Sequence, residues 1–251
     1  MKQYFAISAF LMLLVVSNYL VFAEEETTIV TPASEAAEGL DLQAIGELFK
    51  ESENLEEFEK ALNDPEVGVN NLDLDENGEV DFIRVLSEVA NETHLIILQV
   101  PLAENEFQDV ATIEVEKSGE DEYNIQVRGN EVIYGDDYYV TPTNVHIHTW
   151  PIITWIYRPS YRPYRSVYKF GGYPRWWKPY PPVKVNVYRT RTVKFTHRRT
   201  FIVTKTPRVK TVKVHYKPRS STLVRKKTAI HKPKGTKKPP PKRTKAPKKR
   251  R

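Results

Sequence analysis

Apolar residues first recur with a helical period at Leu42, Ile45, Leu48 and Phe49, behind a capping residue, Asp41. Leu55, Phe58, Ala61 and Leu62 repeat that spacing, and Asn63-Asp64-Pro65 stops it. Beyond Pro65 the period changes to that of strands. Val80 to Val85 and His94 to Val100 are rich in β-branched residues, and Leu95-Ile96-Ile97-Leu98 has no polar face, which suits a central strand. In Val110 to Lys117, Ala111, Ile113 and Val115 alternate with Thr112, Glu114 and Glu116. Tyr123, Ile125 and Val127 alternate with Asn124, Gln126 and Arg128. Short polar turns at Asn91-Glu92, Lys117 to Asp121 and Gly129-Asn130 join these runs, so the pattern predicts an antiparallel meander. The expected class is α+β: two short N-terminal helices packed on an antiparallel β-meander, with the sheet's other face wet. A long, largely disordered basic tail is expected to follow.

Charge divides the chain. All 32 acidic residues lie between Glu24 and Asp137, and residues 1–137 carry a net −26. Residues 138–251 hold 32 Lys and Arg and no acid, so the overall +6 is a difference between two strongly charged halves. The absence of Cys excludes disulfides, thiol catalysis and thiolate-bound metals. Lys2 followed by the apolar run Phe5 to Phe22, with Val21 and Ala23 before Glu24, predicts a cleaved secretory signal over residues 1–23. An uncleaved N-terminal anchor is the alternative. Residues 24–40 lack an apolar period and read as an acidic linker. The acidic domain is assigned to 41–142, a Pro-, aromatic- and Arg-rich tract to 143–182, and the basic tail to 183–251.

One spacing carries definite chemistry. Asp73-Leu74-Asp75-Glu76-Asn77-Gly78-Glu79-Val80-Asp81 matches D-x-D-x-[DN]-G-x-x-D. Oxygens from Asp73, Asp75 and Asn77 converge when the chain curls, Gly78 permits the sharp turn, and Glu79 offers a backbone carbonyl. Asp81 would close a Ca²⁺ site. The twelfth position is Arg84 rather than a bidentate Glu, and the flanks read as strands, so the loop departs from an EF-hand and is similar to shorter calcium loops. An ion-free polar turn is the alternative reading.

The basic half offers a second kind of chemistry. All four Trp (Trp150, Trp155, Trp176 and Trp177) fall within residues 150–181, among Arg158, Arg162, Arg165, Arg175 and Lys178. Tyr157-Arg158-Pro159, Tyr161-Arg162-Pro163 and Tyr164-Arg165-Ser166 form an imperfect repeat. Arginine and aromatic planes can face anionic groups, sugars or bases. Residues 183–217 alternate apolar and basic, which predicts strands that form against a partner and little order without an anion. The end, with Lys248, Lys249, Arg250 and Arg251, reads as a polycation. His146 and His148 would share a strand face, a weak basis for a metal site.

The run from Asn70 to Val140 resembles exported proteins of unknown function from Bacteroidetes-type bacteria. The stretch Asn70-Asn71-Leu72 through Phe82-Ile83-Arg84-Val85 carries the resemblance, with Leu98-Gln99-Val100, Gln108 to Glu116 and Ile133-Tyr134-Gly135. It implies an envelope or extracellular protein with a Tyr/Trp/Pro- and Arg-rich tail, no assigned activity and no catalytic residues to transfer.

These readings converge on a non-enzymatic exported protein of the periplasm, cell surface or extracellular space. A calcium-braced acidic domain would present a cationic, aromatic tail that binds anionic polymers or self-associates. Envelope glycan, lipopolysaccharide and extracellular DNA are the expected polyanions, and the chain's own acidic domain, in cis or trans, is a further candidate partner. The alternative is a secreted nucleic-acid binder using base stacking and phosphate neutralisation. The chain has no Gly-x-Ser-x-Gly, His-Glu-x-x-His or P-loop motif, and no small-molecule substrate is expected.

Overall fold

Asp41 caps the first helix as its spacing predicts, its Oδ1 accepting the Gln43 N–H at 2.9 Å. In the computed structural model, which describes residues 34–143, 146–209 and 216–231, this helix is α1 (Leu42–Glu51). Asn54 caps α2 (Leu55–Leu62) through the Glu57 N–H. Leu42, Ile45, Phe49, Leu55, Phe58 and Leu62 are all buried, and the Phe49 and Phe58 rings meet edge to face at 5.4 Å.

The helices lie on one face of a six-stranded antiparallel sheet, so the molecule is α+β. Its strands are β1 (Arg84–Ala90), β2 (Thr93–Ala103), β3 (Glu106–Lys117), β4 (Tyr123–Gly129), β5 (Tyr139–Pro142) and β6 (Phe201–Thr204). They lie in chain order. Val85, Ile96, Leu98, Ile113, Val115, Ile125 and Val127 fill the helix face, in the alternation read from the sequence. β1 begins at Arg84 rather than Val80. Residues 80–83 are held from elsewhere, by bonds from the Val80 N–H to the Tyr180 carbonyl and from the Asp81 N–H to that of Leu72.

Three expectations are corrected. The segment 34–40 is packed rather than a free linker: Glu35–Gly39 form a 3-10 turn, Leu40 is fully buried, and Ser34 Oγ donates to the Ile133 carbonyl. The sheet's outer face is covered rather than wet, since Val209 is buried on Leu95 and Ile97, with Tyr216 against them. The described part of the stretch, residues 183–209, is packed on the fold. It contains α5 (Val185–Thr196) and β6, where strands against an external partner were expected.

The basic half therefore completes the fold of the acidic half. After α3 (Glu131–Tyr134) and β5, α4 (Pro151–Ile156) buries Ile152, Ile153 and Ile156 in the common core. α5 turns Tyr188 inward. Its hydroxyl accepts the Asp41 N–H at 2.7 Å and donates to the Val69 carbonyl at 2.8 Å. β6 pairs with β5 and drives Phe201 against α1, where a Cβ on Gly46 would sit 2.7 Å from the Phe201 ring. Only a residue without a side chain allows this approach. The last described helix, α6 (Thr222–His231), buries Val224 in the same core. Residues 1–33 and 232–251, including the expected signal segment and Lys248 to Arg251, lie outside the described residues.

Candidate functional site

The loop 73–81 joins the helical layer to β1. Buried Leu72, Leu74 and Val80 anchor it while Glu76, Asn77, Gly78 and Glu79 face solvent. Asp73 accepts the Asn77 and Gly78 N–H groups, each at 3.0 Å. Asp75 accepts the Asn77 N–H at 3.1 Å, and Asn77 Oδ1 accepts the Glu79 N–H at 2.8 Å. Gly78 has φ 85°, a region that favours glycine, and nothing lies within 4 Å of where its Cβ would be. Backbone conformation, not space, requires glycine there.

Asp81 reaches back across the curl to accept the Leu74 N–H at 2.6 Å. Burial pushes its pKa up to about 7, and the neighbouring Asp75 and Asp73 carboxylates push the same way. Lys227 opposes this shift, and its ammonium pairs with Glu76 at 3.3 Å. Among the described residues, no group of three or more His, Cys, Asp or Glu side chains has an arrangement able to hold a metal ion. The carboxylates of Asp73, Asp75 and Asp81 instead accept backbone N–H groups. All the candidate donors are hard oxygens, the ligand type that Ca²⁺ takes.

The Tyr-Arg repeat lies along the free edge of β1. The Ser87 N–H donates to the Tyr164 carbonyl at 2.7 Å, and the Ser166 N–H donates to that of Val85 at 3.0 Å. Arg165 bridges Leu86. These bonds satisfy backbone groups that an open edge would expose. The tyrosines turn inward. Tyr157 Oη lies 3.0 Å from the carbonyls of both Glu92 and Val115, and Tyr161 Oη lies 2.6 Å from Ser87 Oγ. Tyr157 and Tyr161 also enclose His94, with ring centroids at 4.4 and 5.0 Å. Burial lowers the His94 pKa to about 4, so this imidazole is neutral at physiological pH.

The arginines turn outward. Arg158, Arg162, Arg165, Arg175 and Lys178 are all exposed. Arg158 lies over Trp155, 4.7 Å from the ring centre. The two neighbouring tryptophans separate: Trp176 is 46% exposed, whereas Trp177 is 5% exposed. Trp177 packs on Phe82 at 5.2 Å and Tyr173 at 4.8 Å, so it belongs to the core rather than to the binding surface where the sequence reading placed it. The His146 and His148 rings are 6.0 Å apart and perpendicular.

Two sets of residues stand outside the sites named from the sequence. Arg189, Arg191, Arg198 and Arg199 are exposed on or just beyond α5 and extend the cationic surface. Glu106, Gln108, Asp109 and Gln126, from β3 and β4, bind backbone groups of the basic half. A signal for α5 was present, because Val185, Tyr188, Thr192 and Phe195 keep a helical spacing beneath the more conspicuous Val-x-Val-x-Val alternation.

Among the described residues, no helix is long and apolar enough to cross a membrane. No family model, curated protein or solved structure matches the chain.

Proposed function

We propose that this is a non-enzymatic exported protein of the envelope or extracellular space that holds a row of arginines outward for an anionic polymer. The observation that carries this reading is the segregation of the repeat. Tyr157, Tyr161 and Tyr164 are turned toward the fold, while Arg158, Arg162 and Arg165 are exposed on the rigid edge that those tyrosines anchor. A preorganised row of guanidinium groups suits sulfate, phosphate or carboxylate groups spaced along a polymer. Envelope glycan or lipopolysaccharide is favoured over nucleic acid. Base stacking needs free ring faces in series, and Tyr157, Tyr161 and Trp177 are engaged by other rings, which leaves Trp176 as the exposed tryptophan of the tract.

Replacing Arg158, Arg162 and Arg165 together by alanine should lower the salt dependence of lipopolysaccharide binding by about three units of log–log slope. The melting temperature should stay the same. Titration of the mature chain at 50–300 mM salt, beside single-stranded DNA of equal charge, checks this. Unchanged affinity in the triple variant would refute the proposed surface, and tighter binding to the DNA would favour the nucleic-acid alternative.

Ca²⁺ in the loop is part of the same proposal. Asp73, Asp75, Asn77 and Asp81 would supply side-chain oxygens and Glu79 a carbonyl, bracing the entry to β1. The double variant Asp73→Asn, Asp75→Asn should lose the rise in melting temperature that Ca²⁺ gives the parent. In chelator, each of the two chains sets its own baseline. An equal response of both chains to Ca²⁺ would remove the ion from the account.

A further inference from the structure

Three of the six large apolar side chains that are exposed among the described residues fall within residues 167–176. Val167 is 82% exposed, Phe170 48% and Trp176 46%. Apolar groups gathered this closely on a surface mark a contact with something outside the fold. Between them the chain doubles back. Lys169 and Gly172 form an antiparallel bridge, in which the Gly172 N–H donates to the Lys169 carbonyl at 2.8 Å. Gly171, at the turn, has φ 71°, and nothing lies within 4 Å of where its Cβ would be. The tip stands clear of the fold.

The projection is fastened at its base. Tyr168, Tyr173 and Trp177 close on Phe82, their ring centres 5.4, 5.7 and 5.2 Å from its own. Arg84 Nη1 donates to the Tyr168 carbonyl at 3.2 Å. Acidic side chains approach the segment at that anchored side: Asp81, Asp75 and Glu79 add to the rise in the Tyr173 pKa that burial chiefly causes. Lys169, Arg175 and Lys178 are exposed and interleaved with the projecting apolar residues.

An apolar tip with a cationic rim matches the interface of an anionic bilayer. The boundary between headgroups and acyl chains takes valine, phenylalanine and tryptophan, while the headgroups take ammonium and guanidinium groups. A free polyanion would satisfy the cations and leave the apolar side chains in water. We propose that residues 167–176 are an interfacial membrane anchor: Val167, Phe170 and Trp176 enter that boundary, and Lys169, Arg175 and Lys178 meet anionic lipid headgroups. The inference goes beyond the polyanion reading and makes no use of Arg158, Arg162 or Arg165.

The test uses the full mature chain with vesicles of equal parts phosphatidylglycerol and phosphatidylcholine at 0.1 M salt. The double variant Val167→Ser, Phe170→Ser keeps every charge and every tryptophan, and both positions are exposed, so it should melt where the parent melts. Its affinity for the vesicles should fall at least about tenfold. Heparin, a soluble anionic glycan, should bind parent and variant equally. An equal fall with heparin would mean that these residues serve any polyanion, and would overturn the anchor. A second measurement reports position. The chain has no cysteine, so Val167→Cys and Thr206→Cys each carry a single fluorophore. Thr206 is exposed just beyond β6, at the opposite edge of the sheet from β1. On vesicle-bound protein, nitroxide-labelled lipid should quench the fluorophore at 167 and spare the one at 206. Unchanged vesicle affinity in the serine variant, or a fluorophore at 167 that the lipid does not quench, overturns the proposal and would give the patch to a protein partner instead.

Discussion

A Tyr188→Ala chain should lose about 3–5 kcal/mol of stability, and the loss should appear in the acidic half. Tyr188 comes from the basic half, is 2% exposed, and bonds to the Asp41 N–H and the Val69 carbonyl. Removing it opens a cavity beside α1 and leaves both backbone groups without their partner. Tyr188→Phe keeps the volume and loses only the hydroxyl, so it should cost about 1–3 kcal/mol. Urea unfolding followed by tryptophan fluorescence and by far-ultraviolet circular dichroism reads both effects. A single shared transition that moves in both variants is expected. If α5 were a loose appendage, the transition of the acidic half would stay where it is.

Glu59→Gln should change the shape of the stability–pH curve. Glu59 is 2% exposed, accepts the Val85 N–H at 2.6 Å and the Ser166 hydroxyl at 3.0 Å, and its pKa is raised to about 7, chiefly by burial. Unfolded, it titrates near 4.5. Between those values the folded chain keeps a proton that the unfolded chain has lost, so stability falls as pH rises through the window. The full loss from Glu59 is about 3 kcal/mol, complete above pH 7. His94 works in the opposite direction between its folded value of about 4 and the ordinary 6.5, adding stability as pH rises. The difference between variant and parent isolates Glu59. It should shift toward the glutamine variant by about 3 kcal/mol from pH 4 to pH 8. A pH-independent difference would mean that Glu59 titrates normally in the fold.

The parts of the fold legible in the sequence are those written in local spacing. Asp41 and Asn54 sit where caps belong, the α1 and α2 stripes are buried, and the alternation over 110–117 sorts onto two faces as read. The partners of the basic half were not legible, because they are remote in sequence. Tyr188 meets Asp41 and Val69 across more than a hundred residues, and Val209 meets Gln126 across 83. Seen alone, a segment with no acid nearby looks like a solvated polycation. Its structure comes from the common apolar core, from backbone groups of Asp41 and Val69, and from carboxylates and amides on β3 and β4. The same limit applied to the candidate site. The Tyr-Arg repeat was visible, but the inward turn of the tyrosines depends on the bare edge of β1, and the separation of Trp176 from Trp177 depends on Phe82.

Charge segregation suggests that the two halves are held by attraction between opposite charges, whereas the contacts described above are mostly buried rings and backbone bonds. The ion pair Arg189–Glu38, at 3.0 Å, is exposed on both sides and adds little stability. Amide hydrogen exchange over residues 185–204, at 0.1 M and 1 M NaCl, tests this most directly. The account predicts strong protection of α5 and β6 that is unchanged by salt. Protection that is absent, or that disappears at 1 M, would contradict it and return the basic half to the status of an electrostatically tethered tail.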